Sequence, residues 1–180
     1  MKKVYQTVID KTIGNCMQAT IASLLDLELN VVPNFILEPK NNWFQTMYRF
    51  LKDNGYEFNG TLYNIEDSRI RGEYHSSYME HYNKIINSDN KDNNLERLKN
   101  SKGIDGFFYA SVYSPRFVNL MDKHPTGHAV IIDSSFNIVH DPNPNYKDII
   151  KYPYADELGY NGVIDVFLIE KKNDEEKIEN

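Results

Sequence analysis

Residues 14–25 read GNCMQATIASLL and contain the only cysteine of the chain, Cys16. Gly14 and Asn15 favour a loop that leads into a helix, because asparagine is among the strongest N-cap residues. The residues after Cys16 are good helix formers with apolar side chains at helical spacing. We therefore predict a helix that begins at Cys16 and ends within residues 27–30.

This placement of Cys16 favours a reactive thiol. The first turn of a helix has unpaired backbone N–H groups and the positive end of the helix dipole. Such surroundings lower the pKa of a thiol and favour the thiolate, which is the nucleophilic form. The alternative is a small buried side chain without chemistry, since free cysteine is among the most buried residue types. Residues further along the chain decide between the two.

Composition limits the class of protein. The chain has 180 residues, 41% of them hydrophobic, and a net charge of -6, which predicts a globular domain rather than a nucleic-acid or membrane-surface binder. A single cysteine excludes an internal disulfide framework and suits a reducing compartment. The sequence has neither a long apolar run nor a signal-peptide pattern at its start. We therefore expect a cytoplasmic protein without nucleic-acid or membrane partners.

The polar composition changes along the chain and predicts its organisation. Residues 65–102 are dominated by charged, amide and Ser side chains and have too few apolar residues for a core of their own. We predict one domain over residues 1–170 that carries this stretch as a surface insertion near the cleft, with short helices at 79–86 and 94–98. Residues 171–180 are almost all charged or amide-bearing, which predicts a frayed tail.

The remaining patterns predict a mixture of one further helix and several strands. Apolar residues recur at helical spacing over residues 42–54, and Gly55 follows at the expected stop. We predict an extended lead-in at residues 3–9 and strands rich in β-branched and aromatic residues at 56–63, 106–113, 128–132, 136–140 and 163–169.

A predicted hairpin brings a histidine and a carboxylate together. If Ser134 and Ser135 form its loop, His128 lies directly opposite Asp141, and opposed residues have Cβ atoms about 4.5–5.5 Å apart. An imidazole beside a carboxylate is the base and orienting group of a nucleophilic triad. A longer, asymmetric loop would shift the pairing by one residue and place His140 there instead. In the symmetric register His140 projects from the other face of the strand.

In this arrangement the sequence resembles a known superfamily. Cys16 at the head of a helix, His128 opening a strand and Asp141 on the next strand follow the chain order of papain-like cysteine peptidases, and the chain is most similar to small C39-like members. Other stretches resemble small phage and bacterial proteins; these are Tyr5-Gln6-Thr7, Gly14-Asn15-Cys16, Ala22-Ser23-Leu24-Leu25, Val32-Pro33-Asn34-Phe35, Ser114-Pro115-Arg116, Gly127-His128-Ala129-Val130 and Val139-His140-Asp141-Pro142. The resemblance implies an α+β, papain-like fold whose Cys-bearing N-terminal helix packs on an antiparallel sheet that carries His and Asp.

The resemblance also implies an oxyanion hole. In that superfamily a glutamine upstream of the cysteine donates a side-chain N–H to the oxyanion, and the backbone N–H of the cysteine is the second donor. Gln6 is the match, although it lies ten residues before Cys16, a longer gap than in papain. Gln18 is the rival, but two residues into the helix it would point away from the thiol.

Three further residues are candidates for substrate contacts, namely Arg116, Gly127 and Asn15. Arginine suits bidentate contacts with an anionic group, and a glycine before the histidine leaves room for a substrate backbone. The alternative for Arg116 is an exposed side chain at a strand end. A zinc site lacks a recognisable ligand spacing, so we expect no metal and no cofactor; the residues from which one could be drawn are Cys16, His124, His128, His140 and Asp141.

Together these patterns predict acyl transfer through a Cys-His-Asp triad. We expect a cysteine hydrolase that cleaves a peptide, an isopeptide or another amide bond, with a protein, peptide or small amide as its substrate. A phage-encoded protein would act on a host target in the host cytoplasm. The alternatives are an acyltransferase with the same triad and a papain-like fold that sequesters a host factor or small signalling molecule without turnover.

Overall fold

The computed structural model describes residues 1–10, 13–38, 42–64, 94–114, 127–149, 151–152, 155 and 160–172. Its α-helices are α1 (Cys16–Leu24), α2 (Trp43–Asp53) and α3 (Asn94–Asn100). Its strands are β1 (Tyr56–Asn64), β2 (Phe107–Tyr113), β3 (Gly127–Asp133), β4 (Ile138–His140) and β5 (Val163–Lys171). Short 3-10 turns lie at Leu29–Val31, Phe35–Leu37, Pro144–Tyr146 and Tyr160–Gly162.

The strands form one sheet in the order β1-β5-β2-β3-β4, and each described pair of neighbours is antiparallel. Helices together with an antiparallel sheet confirm the predicted α+β class. Within the described part of the chain, no single helix is long and apolar enough to cross a membrane; only the pair Cys16–Leu24 and Leu29–Leu37, bent by 108°, passes that test together.

Two apolar clusters hold the sheet. In the first, α1 and α2 contribute Ile21, Leu24, Met47 and Leu51, which pack with Ile131 of β3. The second gathers side chains from α3, the β3–β4 turn and alternate positions of the inner strands; it includes Leu98, Phe136, Tyr152, Phe108, Val130 and Leu168. Successive residues of β3 belong to different clusters, which explains why residues 129–132 are continuously apolar instead of alternating.

Helix α1 begins at Cys16, as predicted, but it ends at Leu24 and not within residues 27–30. Asp26 adopts a positive φ of 55°, and the Leu27 N–H donates to the Ala22 carbonyl at 2.9 Å. A left-handed residue followed by this bond is a Schellman stop, and aspartate tolerates the left-handed region better than most residues. The apolar pattern continues past the stop, which is why the periodicity overestimated the length of the helix.

Most other predicted elements are confirmed with small changes at their ends. Helix α2 ends at Asp53, and Gly55 has a positive φ of 82° at the expected stop. Residues 3–9 are not paired in the sheet. They are instead held from both sides, because the Val4 N–H donates to Ser23 Oγ at 2.9 Å and the Gln6 N–H donates to the Pro142 carbonyl at 2.9 Å.

Helix α3 changes the interpretation of the polar stretch at residues 65–102. A helix was expected at residues 94–98, and α3 confirms it. However, Leu98 is 0% exposed and belongs to the second apolar cluster, so this end of the stretch is part of the core rather than a surface excursion. Residues 65–93, with the helix predicted at 79–86, lie outside the described residues, as do residues 173–180 of the predicted tail. The tail begins later than predicted, because Lys171 is the last residue of β5 and the Lys172 N–H donates to the Gly55 carbonyl at 2.9 Å.

The predicted register of the β3–β4 hairpin is wrong. Ile132 pairs with Ile138 and Ile131 with His140, with an irregularity between the two pairs, whereas the symmetric two-residue loop required different partners. The loop is longer than Ser134-Ser135, because Phe136 adopts a positive φ of 61° and the Asp133 N–H donates to the Asn137 carbonyl at 3.0 Å. Three-residue hairpin loops have this left-handed third position.

Candidate active site

The loop before α1 fixes the position of Cys16. A Cβ atom on Gly14 would lie 2.2 Å from the Asp10 backbone oxygen, so only glycine fits here without moving the loop. The Asn15 N–H also donates to the Val8 carbonyl at 3.2 Å. The chain is therefore held close to its own preceding residues immediately before the cysteine.

Asn15 occupies the N-cap position of α1, but its side chain forms no capping bond. Its Oδ1 accepts the N–H groups of Thr7 and Val8 at 3.0 and 2.9 Å. Its Nδ2 donates to Thr7 Oγ1 and Gln18 Oε1, and Gln18 Nε2 donates in turn to the carbonyls of Leu29 and Val32. Asn15 was predicted to bind substrate, yet in this structure its amide joins the lead-in to α1.

His128 and Asp141 lie together although their strands are not in the predicted register. His128 is the second residue of β3, and Asp141 follows directly after the end of β4. The His128 Nε2 lies 2.7 Å from Asp141 Oδ1, and both side chains are buried. Because Asp141 has left the strand ladder, strict cross-strand pairing does not limit the reach of its side chain.

The thiol of Cys16 completes the chain of hydrogen bonds. The imidazole of His128 hydrogen-bonds to Cys16, and because Nε2 serves Asp141, Nδ1 is the nitrogen left for the sulfur. The backbone N–H groups of Met17 and Ala129 also donate to the sulfur. These donors stabilise the negative charge of a thiolate, as the helix N-terminus was expected to do.

The site favours a thiolate–imidazolium pair. Burial raises the pKa of the Cys16 thiol, but the hydrogen bond and positive charge of His128, with the two backbone N–H groups, outweigh it and leave the pKa lowered. Burial lowers the pKa of His128, but its bonds to Asp141 and Cys16 raise it to about 9. Between the two pKa values both groups are charged, and the titration belongs to the pair.

The carboxylate of Asp141 has further partners that the sequence analysis missed. The Asn143 N–H donates to Asp141 Oδ1 at 2.7 Å, and the Tyr152 hydroxyl donates to Oδ2. The ring of Tyr146 meets the His128 ring edge-on, with centroids 5.5 Å apart. The bond from Asn143 could have been predicted from the sequence, since an Asp side chain often accepts the backbone N–H of the residue two positions later. No local pattern indicates Tyr152, eleven residues later.

Gln6 is buried, at 6% exposure. Its backbone N–H donates to the carbonyl of Pro142, the residue after Asp141. Its Nε2 donates to the Val8 carbonyl at 3.2 Å, and its Oε1 has no hydrogen-bond partner among the described residues. An amide nitrogen carries two donors, so one remains for another acceptor. Its predicted part in an oxyanion hole stays a prediction.

The other candidates have different surroundings. A Cβ atom on Gly127 would have nothing within 4 Å, so packing inside the protein does not require a glycine there. His140 lies away from the base position, because its Nε2 donates to the Val4 carbonyl at 2.9 Å and its ring meets that of Tyr5. Burial lowers the pKa of His140 below its ordinary value. Arg116 lies outside the described residues.

In the described ranges no three His, Cys, Asp or Glu side chains are grouped as metal ligands would be. Comparisons with protein-family models, with curated proteins and with solved structures find no match to this chain. An interpretation of function therefore depends on the geometry of Cys16, His128 and Asp141.

Proposed function

We propose that this protein is a papain-like cysteine hydrolase that cleaves a peptide, isopeptide or other amide bond. The observation that carries the proposal is the continuous chain of hydrogen bonds from the Cys16 thiol through His128 to Asp141. Each part has the chemistry that nucleophilic catalysis needs: a thiol with a lowered pKa, an adjacent base and a carboxylate that orients the base.

The tautomer of His128 supports this function. A carboxylate only accepts hydrogen bonds, so the proton on Nε2 points to Asp141, and Nδ1 is free to take the proton of the Cys16 thiol. The resulting imidazolium is stabilised by the Asp141 charge, while the thiolate is stabilised by the backbone N–H groups of Met17 and Ala129. The nucleophile is therefore charged before a substrate arrives.

In the proposed reaction the Cys16 thiolate attacks the carbonyl carbon of the amide and forms a tetrahedral intermediate. The backbone N–H of Cys16 and the second N–H of Gln6 Nε2 stabilise its oxyanion. His128 gives its Nδ1 proton to the leaving amine, and the C–N bond breaks to leave a thioester. Water then attacks the thioester while His128 takes its proton. The C–S bond breaks, the acid product leaves, and the Cys16 thiolate and His128 imidazolium are restored.

A test of this function is turnover of a library of short peptides whose C-terminal amide releases a fluorescent amine. We expect release by the wild-type protein, an acyl adduct on Cys16 visible by intact mass, and neither in Cys16→Ala. His140→Ala is the matched control, because it removes a buried imidazole that does not contact the thiol. Equal signals from wild type and Cys16→Ala, with both folded, would contradict the proposal.

A further inference from the structure

The carboxylate of Asp141 is held from two sides by different parts of the chain. Its Oδ1 accepts hydrogen bonds from His128 Nε2 and from the Asn143 N–H, both at 2.7 Å. Its Oδ2 accepts a hydrogen bond from the hydroxyl of Tyr152. Tyr152 is 5% exposed, and its ring belongs to the second apolar cluster, with Val130 and Leu168.

Tyr152 and Asp141 both line a cleft of about 360 Å³ beside β4. Its other walls include Lys147 and His140. Cys16 and His128 are not among its lining residues. A carboxylate at the wall of such a cleft has room to rotate and to bind water, unless fixed donors hold both of its oxygens.

We propose that Tyr152 is a positioning residue of the triad: its hydroxyl locks the Asp141 carboxylate so that Oδ1 stays on His128 Nε2. The role rests on the proposed function, since it acts on the same site. It adds a fourth member to the chain of hydrogen bonds, which then runs from the Cys16 thiol to a phenol anchored in the core.

Two features fit a fixed donor. The phenol stays protonated, because burial and the charge of Asp141 raise the pKa of Tyr152 above its ordinary value. The ring of Tyr152 is packed in the second apolar cluster, while its hydroxyl binds Asp141. The packing of the ring therefore fixes the position of the donor and, through it, the position of the carboxylate. The Asn143 N–H alone cannot do this, because it binds the same oxygen as His128 and leaves Oδ2 free to turn.

The variant that tests the role is Tyr152→Phe, which keeps the ring in the apolar cluster and removes only the hydroxyl. Tyr109→Phe is the matched control, because Tyr109 is also a buried tyrosine but stacks on Phe167 in the first cluster. The readout is the titration of the His128 ring by NMR, which requires no substrate. Its signal is assigned among the five histidines by its loss in His128→Ala.

In the wild type we expect the ring to titrate with a midpoint near 9, as its bonds to Asp141 and Cys16 indicate. A loosened carboxylate stabilises the imidazolium less, so Tyr152→Phe should lower the midpoint by about 0.5–1 unit. Alkylation of Cys16 at pH 6 should slow by about 3–10-fold for the same reason. Tyr109→Phe should leave both values unchanged.

A double-mutant cycle shows whether Tyr152 acts through Asp141. In the Asp141→Ala background, Tyr152→Phe should change neither the midpoint nor the alkylation rate any further. A raised wild-type midpoint that Tyr152→Phe leaves unchanged, or an equal effect of Tyr152→Phe in that background, would overturn the positioning role alone. An ordinary wild-type midpoint near 6.5 would overturn the proposed function and the positioning role together.

Discussion

Asn15 gives the sharpest test of how the site is built. Asn15→Ala removes two acceptor bonds to the N–H groups of Thr7 and Val8 and two donor bonds, to Thr7 Oγ1 and Gln18 Oε1. Thr7 is an exposed residue, so we expect its hydroxyl to bind water instead, which leaves three bonds without replacement. At about 1 kcal/mol net for each bond, the free energy of unfolding should fall by about 3 kcal/mol.

For a domain of this size, that loss corresponds to a decrease in Tm of about 6–12 °C. The assay is urea unfolding followed by circular dichroism, with thermal unfolding as a second measurement. Asn15→Asp keeps both acceptor bonds and should lose only about 1 kcal/mol, since a negative charge is favourable at a helix N-terminus. Asn59→Ala is the exposed control; it loses a bond to Glu170 and should stay within about 0.5 kcal/mol. Equal stability losses for Asn15→Ala and Asn59→Ala would refute the structural role of Asn15.

Three other substitutions separate packing from function. Gly14→Ala should destabilise the protein by about 1–3 kcal/mol in urea unfolding and slow alkylation of Cys16, because its Cβ would meet a backbone oxygen at 2.2 Å. Gly127→Ala should leave the free energy of unfolding within about 0.5 kcal/mol of wild type, since nothing lies within 4 Å of the added Cβ atom. The same variant should raise KM for a peptide substrate, and an unchanged KM would contradict the predicted substrate approach. Leu98→Ala should lose about 2–5 kcal/mol by the same unfolding assay, whereas the control Leu37→Ala, at an exposed position, should lose little; equal losses would contradict a core role for α3.

The elements of the fold were predictable where a pattern was local. The start of α1 at Cys16 follows from a glycine and an asparagine before a run of helix formers. Its end was not predictable from periodicity, because the stop depends on the left-handed conformation of Asp26 and not on a break in the apolar pattern. The core position of Leu98 was not predictable either. A single apolar residue in a polar stretch gives no periodic pattern, and only tertiary packing determines whether it is buried.

The candidate site shows a similar division. The proximity of His128 and Asp141 was predicted from a hairpin register that proved wrong because the loop is longer. The two side chains still meet, since Asp141 lies beyond the end of β4. Asn15 was expected to cap the helix or bind substrate, but its amide is used on the lead-in segment. The bond from Tyr152 joins residues that no short-range rule connects.

The measurement that tests the central claim most directly is the rate of Cys16 alkylation by iodoacetamide between pH 4 and 10. The pKa of Cys16 is lowered and that of His128 is raised to about 9, which favours the thiolate–imidazolium pair. The account predicts that this pair is already populated at pH 6. At that pH a free cysteine, with a pKa of about 8.5, is less than about 1% thiolate, so the wild-type protein should react much faster. His128→Ala removes the hydrogen bond and positive charge that do most to lower the pKa of Cys16, while burial still raises it. The rate at pH 6 should therefore fall by about 10–100-fold, after allowance for the intrinsic nucleophilicity of the thiolate.

Here too His140→Ala is the control, and its profile should follow that of the wild type, because His140 binds the Val4 carbonyl and not the thiol. The account predicts a reactive thiolate at pH 6 that depends on His128 and not on His140. A wild-type profile with an ordinary midpoint near 8.5, unchanged in His128→Ala, would contradict it.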